Sequence, residues 1–135
     1  MSEDGTVDHF IFLDSANGTF GRKQIELIEE GVADPDKKTR NVFVFTHTNF
    51  FRPSTTQFAS TYPREELYYM LNKFERWNCT FVFMGHVHKW DDRMFSNVHY
   101  LTLDSMGERN SPNPGKYLVR VTCHKNGKVD YEQVM

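Results

Sequence analysis

Three short apolar runs, each closed by polar residues and separated by stretches with helical spacing, do most to limit what this chain can fold into. They cover residues 9–15 (HFIFLDS), 41–47 (NVFVFTH) and 79–84 (CTFVFM), the last followed directly by Gly85-His86-Val87-His88. Runs of this length, rich in aromatic and β-branched residues, read as strands buried on both faces. Between the first two, Ile25, Ile28 and Val32 recur on one face of a helix over 22–30, and Gly31 is its stop signal. Between the second and third, Pro63 suits a helix start and Glu65 and Glu66 suit its first turn. Leu67, Met70, Leu71, Phe74 and Trp77 then form a packing stripe, and Asn78 closes the helix. Strand-helix-strand-helix-strand is the order of an α/β unit with adjacent parallel strands.

Beyond His88 the pattern changes. Residues 94–103 and 116–123 read as strands, and 129–134 pairs with the latter across Asn126-Gly127, a strong hairpin signal. Residues 1–8 are a loose lead-in, and 49–61 (with Pro53) and 107–115 (with Pro112 and Pro114) are loops. The chain therefore divides into that lead-in and one domain over 9–135. At 39% hydrophobic and 15% aromatic residues it can bury a core, which excludes a disordered chain. A net charge of -2 gives no general pull towards nucleic acid or anionic membrane, and no apolar run is long enough to span a bilayer. Cys79 and Cys123 each lie beside an apolar strand pattern and are expected as buried free thiols, not as a disulfide framework.

In an open α/β sheet the binding crevice lies at the carboxyl ends of the strands. His47, His86 and His88 fall there, as do Asp14, Ser15 and Asn17. If the extended backbone continues past Gly85, His86 and His88 point to the same side; the glycine itself permits a turn or a close approach to its backbone. Neutral imidazoles are common ligands for Zn, Fe or Mn, and three of them could hold one ion with a position open. Structural or surface roles are expected for His9, His99 and His124. No Cys-x-x-Cys, P-loop, Gly-x-Gly-x-x-Gly or Gly-x-Ser-x-Gly occurs.

Gly85-His86-Val87-His88 after a buried strand resembles the closing G-H-x-H motif of the calcineurin-like metallophosphoesterases. Thr46-His47-Thr48-Asn49 resembles the isolated upstream histidine motif of that family, and Phe12-Leu13-Asp14-Ser15 with Gly18 and the Gln24-containing helix resembles the segment before it. The likeness runs from about His9 to the end. It implies an α/β fold, here half of a β-sandwich flanked by helices: strand-helix-strand-helix-strand followed by antiparallel strands. It implies a site for two divalent metal ions (Mn, Fe or Zn), with His47 and His86 on one and His88 on the other. The family's three earlier motifs, D-x-H, G-D-x-x-D and G-N-H-D/E, have no counterpart in these 135 residues. The chain thus looks like the C-terminal half of such an enzyme, with no catalytic residue to assign.

The function expected from this resemblance is that of a metal-dependent phosphoester hydrolase domain, inactive alone because the bridging carboxylate and amide ligands are missing. The alternative is a non-catalytic truncated module that self-associates or binds metal weakly. A mononuclear three-histidine zinc hydrolase is a third reading, without a general base at any motif position. The absent half would leave apolar sheet faces uncovered, so a homo-oligomer or an N-terminal-half partner is expected. A phosphoester is the substrate if the site is completed, and Arg52, Arg109 and Asn110 in the two long loops could face a phosphate. No signal peptide is visible, which makes the cytoplasm the default compartment.

Overall fold

A computed structural model describes residues 2–51, 62–104 and 118–134. Four strands, β1 (Val7–Leu13), β2 (Thr39–Thr46), β3 (Phe81–Met84) and β5 (Val98–Thr102), run parallel, and β4 (Asp91–Phe95) pairs antiparallel with β5. The order across the sheet is β1-β2-β3-β5-β4. Helices α1 (Gly21–Glu29) and α2 (Arg64–Arg76) make the β1-to-β2 and β2-to-β3 crossovers. The mixed α/β class and the parallel crossover unit are as the sequence implies.

The two faces of the sheet are covered differently, and strand alternation explains how. On one face Leu13, Val42, Val44, Val82, Met84, Val98 and Tyr100 form a single core with Ile28 of α1 and Met70 and Phe74 of α2. On the other, Phe43, Phe81, Phe83 and Leu101 are covered by Val119, Val121, Val129 and Tyr131. Those four covering residues belong to the hairpin of β6 (Leu118–Cys123) and β7 (Val129–Val134), which forms a two-stranded sheet of its own. A polar cluster adds to this attachment: Asp92 of β4 accepts a hydrogen bond from Tyr131 of β7 and pairs with His99 of β5.

Among the described residues the hairpin leaves Phe10 and Phe12 of β1 uncovered. Phe10 and Phe12 are 58% and 72% exposed, although their rings stack on Phe43 and Phe45 at centroid distances of 5.1 and 4.8 Å. The expectation that residues 9–15 are buried on both faces therefore holds only for the helix side. At the amino-terminal edge, Asp8 accepts two hydrogen bonds from Arg40, at 2.9 and 2.5 Å, and one from Asn41 at 3.0 Å. Arg40 holds the Asp8 carboxyl below the usual range, with Asn41 adding to the effect.

Several local expectations change. Residues 94–103 are not one strand: Ser96 and Asn97, at φ of 47° and 61°, make the tight turn between β4 and β5. Val32, placed by spacing on the buried helix face, lies beyond the end of α1 and is exposed. Cys79 is buried, but Cys123 is exposed at the end of β6. Most of the 49–61 loop, the 107–115 loop, and with them Arg52, Arg109 and Asn110, lie outside the described residues.

Candidate metal centre

Because β1, β2, β3 and β5 are parallel, the residues that follow Leu13, Thr46, Met84 and Thr102 gather at one edge. An open cleft of about 320 Å³ there is lined by Thr46, His47, Gly85, His86, His88 and Asp104, with Phe45, Phe83, Met84 and Leu103 as its apolar floor. Phe12 and Asp14 line an adjoining hollow that shares Phe45, Thr46 and His47. All three histidines singled out by sequence therefore face one cleft.

His47 and His86 meet directly, Nε2 to Nδ1 at 2.9 Å, with the rings edge to face. One ring nitrogen donates and the other accepts in such a contact, so at least one of the two imidazoles is neutral at that atom. Two nitrogens bound to one ion at the usual 2.0–2.1 Å stand about 2.9–3.4 Å apart for angles between square and tetrahedral. The observed spacing fits two positions on a shared ion. His88 does not join them: among the described residues no group of three or more His, Cys, Asp or Glu side chains is disposed to hold a metal ion. The residues present thus fit part of a metal centre and not a complete one.

The backbone of the histidine turn is unusual. Strand β3 ends at Met84, and His86 and His88 adopt φ of 73° and 50°. The extended continuation expected past Gly85 is replaced by a left-handed turn, so alternation does not govern where the two side chains point. Left-handed backbone in a non-glycine residue costs on the order of 1–2 kcal/mol and persists where the surroundings impose it. Gly85 is not the residue that requires glycine. A Cβ built on it would meet only the His47 carbonyl oxygen, at 3.6 Å, an ordinary contact.

The loop after β1 fixes the loop after β2. Ser15, 1% exposed, accepts hydrogen bonds at Oγ from the backbone N–H of His47 (3.1 Å) and of Thr48 (3.0 Å), and shares a proton with Thr46 Oγ1 at 2.6 Å. Tyr62 donates to the Thr48 carbonyl at 2.8 Å, and burial pushes its phenol above the ordinary range. Gln24 of α1 grips Asp14 from both sides, accepting from its N–H (3.0 Å) and donating to its carbonyl (2.9 Å). Asn49 donates to Thr102 Oγ1 at 2.6 Å and joins the end of β2 to the end of β5.

Two contributors escaped the sequence reading. Asp104 lines the cleft with the histidines. It is a polar residue closing an apolar strand, the same signal that marks Asp14 and His47, but the expectation of antiparallel strands after His88 gives no reason to place it at this edge; β5 runs parallel to β3 and brings it there. Ser15 was placed at the right edge but not as the acceptor for His47. The other three histidines have structural partners: His9 with Thr39 at 3.1 Å, His99 with Asp92, and His124 with Asp130 at 2.7 Å. A second cleft of about 350 Å³, lined by Arg40, Cys123 and Lys125, offers no comparable site, since Arg40 is engaged by Asp8 and Lys125 lies 3.4 Å from Glu3.

Compared with models of known protein families the chain matches none, and none of the curated proteins matches it. No helix among the described residues is long and apolar enough to cross a membrane.

Proposed function

We propose that this chain supplies the histidine side of a two-metal phosphoesterase centre of the calcineurin-like type. His47 and His86 would share one divalent ion (Mn, Fe or Zn) and His88 would serve the second. The observation that carries this reading is the His47–His86 pair at 2.9 Å, at the carboxyl ends of adjacent parallel strands, with His86 in the Gly85-His86-Val87-His88 turn. The left-handed backbone at both histidines of that turn adds to it, because strain of this kind concentrates at ligand-binding sites. Metal ions would act there as Lewis acids on a phosphoryl oxygen and as activators of a water nucleophile. The bridging carboxylate and amide ligands that the family uses have no counterpart in the sequence, so hydrolysis requires a complementing segment.

Titration of the chain with Mn²⁺ or Zn²⁺, alongside a chromogenic phosphodiester assay, tests this. Binding that weakens in His86→Ala, without turnover by the chain alone, is the expected result. Turnover that is lost in His86→Ala would show a complete site and overturn the half-site view. Absence of any binding would remove the metal reading altogether.

A second reading is favoured by the exposure of Phe10 and Phe12. In it the chain is a non-catalytic module whose uncovered aromatic face associates with another copy or with a complementing segment, and whose histidines bind metal weakly. Both readings share the ion and differ in whether a completed chain turns over a phosphoester.

A further inference from the structure

We infer that Ser15 is a positioning residue for His47, so that the loop after β1 sets the geometry of a histidine pair carried by β2 and β3. The capacity of its hydroxyl is fully used. A serine Oγ has one proton and two lone pairs. The lone pairs take the N–H groups of His47 and Thr48 at 3.1 and 3.0 Å, which sends the proton to Thr46 Oγ1 at 2.6 Å. Thr46 Oγ1 lies 3.3 Å from the Tyr62 hydroxyl, and Tyr62 donates onward to the Thr48 carbonyl. With its proton committed to that carbonyl, Tyr62 accepts from Thr46, and the ring closes around residues 46–48.

From this ring the constraint passes to both histidines. The N–H of His47 ends on Ser15 Oγ, and its carbonyl accepts the Gly85 N–H at 2.9 Å. The backbone of His47 is thus held on the β1 side by Ser15 and on the β3 side by the glycine that opens the His86 turn. Ser15 is itself anchored: its carbonyl accepts the Thr48 hydroxyl (2.7 Å) and the Gly18 N–H (2.9 Å), and Gln24 clamps the preceding Asp14. Without the Ser15 hydroxyl, two buried N–H groups lose their acceptor, one of them on His47 itself. Residues 46–48 must then rotate to satisfy them, and the His47 ring moves with its backbone. The biological reason for holding that ring rests on the metal reading proposed above; the positioning does not.

The test is read in metal-free protein by proton NMR, from the cross-relaxation between the His47 and His86 rings, whose centroids are 4.9 Å apart. In Ser15→Ala this inter-ring cross-peak is expected to fall at least threefold. Thr102→Val serves as the control, because it removes an equally buried hydroxyl at the same sheet edge, one bonded to Asn49 and not to Ser15. It should lower the melting temperature and keep the cross-peak. An unchanged cross-peak in Ser15→Ala, an equal loss in Thr102→Val, or no cross-peak in the wild type would each overturn the inference. If Ser15→Ala does not fold, Ser15→Cys, a near-isosteric weak acceptor, is read in the same spectrum, again with a threefold loss expected and an unchanged peak overturning the inference. Calorimetric titration with Ni²⁺ alone separates this from the metal reading. A wild type that binds no ion but shows a Ser15-dependent ring contact retains the positioning and sinks the metal centre.

Discussion

Gly85 donates its backbone N–H to the His47 carbonyl at 2.9 Å, and a methyl group added at its Cα would meet that same oxygen at 3.6 Å. The glycine of the histidine turn therefore serves through its N–H and not through lack of a side chain. Its φ is also outside the left-handed region that His86 and His88 occupy. Gly85→Ala should fold with stability within about 0.5 kcal/mol of wild type, or slightly above it, since alanine narrows the unfolded ensemble. Urea denaturation measures this, and a loss of more than about 2 kcal/mol would mean that Gly85 has a steric role.

His47 and His86 are expected to behave as one unit towards metal. His47→Ala or His86→Ala should each weaken Mn²⁺ or Zn²⁺ binding at least tenfold, about 1.4 kcal/mol, and the double variant should lose less than the sum of the two. His9→Ala and His124→Ala, which alter bonds to Thr39 and Asp130, should leave affinity unchanged. Affinity should also fall on acidification, because protons compete for the ring nitrogens. Isothermal titration of the four single variants and the double decides the matter; strictly additive losses would argue against a shared ion.

The Asp8–Arg40 pair should make stability sensitive to acid. Arg40, then Asn41, lower the folded-state pKa of Asp8. A depressed carboxylate pKa contributes stability that is fully present above the unfolded value, ordinarily near 3.9, and is lost as pH falls through the lower folded value. Asp8→Asn should therefore destabilise the chain at neutral pH, by less than a fully buried charged hydrogen bond would because solvent screens the pair. The difference from wild type should shrink below about pH 4. Denaturant unfolding at a series of pH values tests this, and a gap that persists at pH 2 would point to packing instead.

Phe10 and Phe12 predict association. Their stacked rings on the edge strand β1 leave a continuous aromatic surface next to Phe45. Purified chain should show a weight-average mass that rises with concentration in light scattering, and Phe10→Ser with Phe12→Ser should lower it towards the monomer. A wild-type monomer at high concentration would count against the exposed face as a contact surface.

The two thiols should differ in reactivity. Burial pushes Cys79 up to about 12, while Cys123, also raised by partial burial, is exposed to reagent. A thiol reagent should label Cys123 within minutes in the folded state and Cys79 only on unfolding, as mass spectrometry of the labelled peptides would report. Equal labelling rates would indicate that the β3 end of the core opens freely.

The strand-helix-strand-helix-strand order was legible because residues 41–47 and 79–84 are apolar on both faces, as strands covered on both sides must be. His47, His86 and His88 could be placed together from that order alone, since parallel strands end on one edge. What local pattern did not contain was cover. Residues 9–15 carry the same alternation of Phe and aliphatic residues, and only the reach of the distant hairpin decides that Phe10 and Phe12 stay exposed. The left-handed backbone at His86 and His88 was equally hidden, because it contradicts the residues' own preference. The Ser15 contact spans 32 positions, and no local signal reports such a bond.

Among the described residues the hairpin of β6 and β7 touches the main sheet through side chains and shares no strand ladder with it. Its amides are protected by its own cross-strand bonds, whereas those of β2, β3 and β5 sit in the centre of five strands. The hairpin can therefore open as a separate cooperative unit, at a free energy below that of global unfolding. In a hydrogen-exchange experiment residues 118–134 would take up deuterium as a block, ahead of the central strands. Each such opening would briefly bare Phe81, Phe83 and Leu101, making the hairpin the first structure to yield under mild denaturant and the point at which aggregation of this chain would begin.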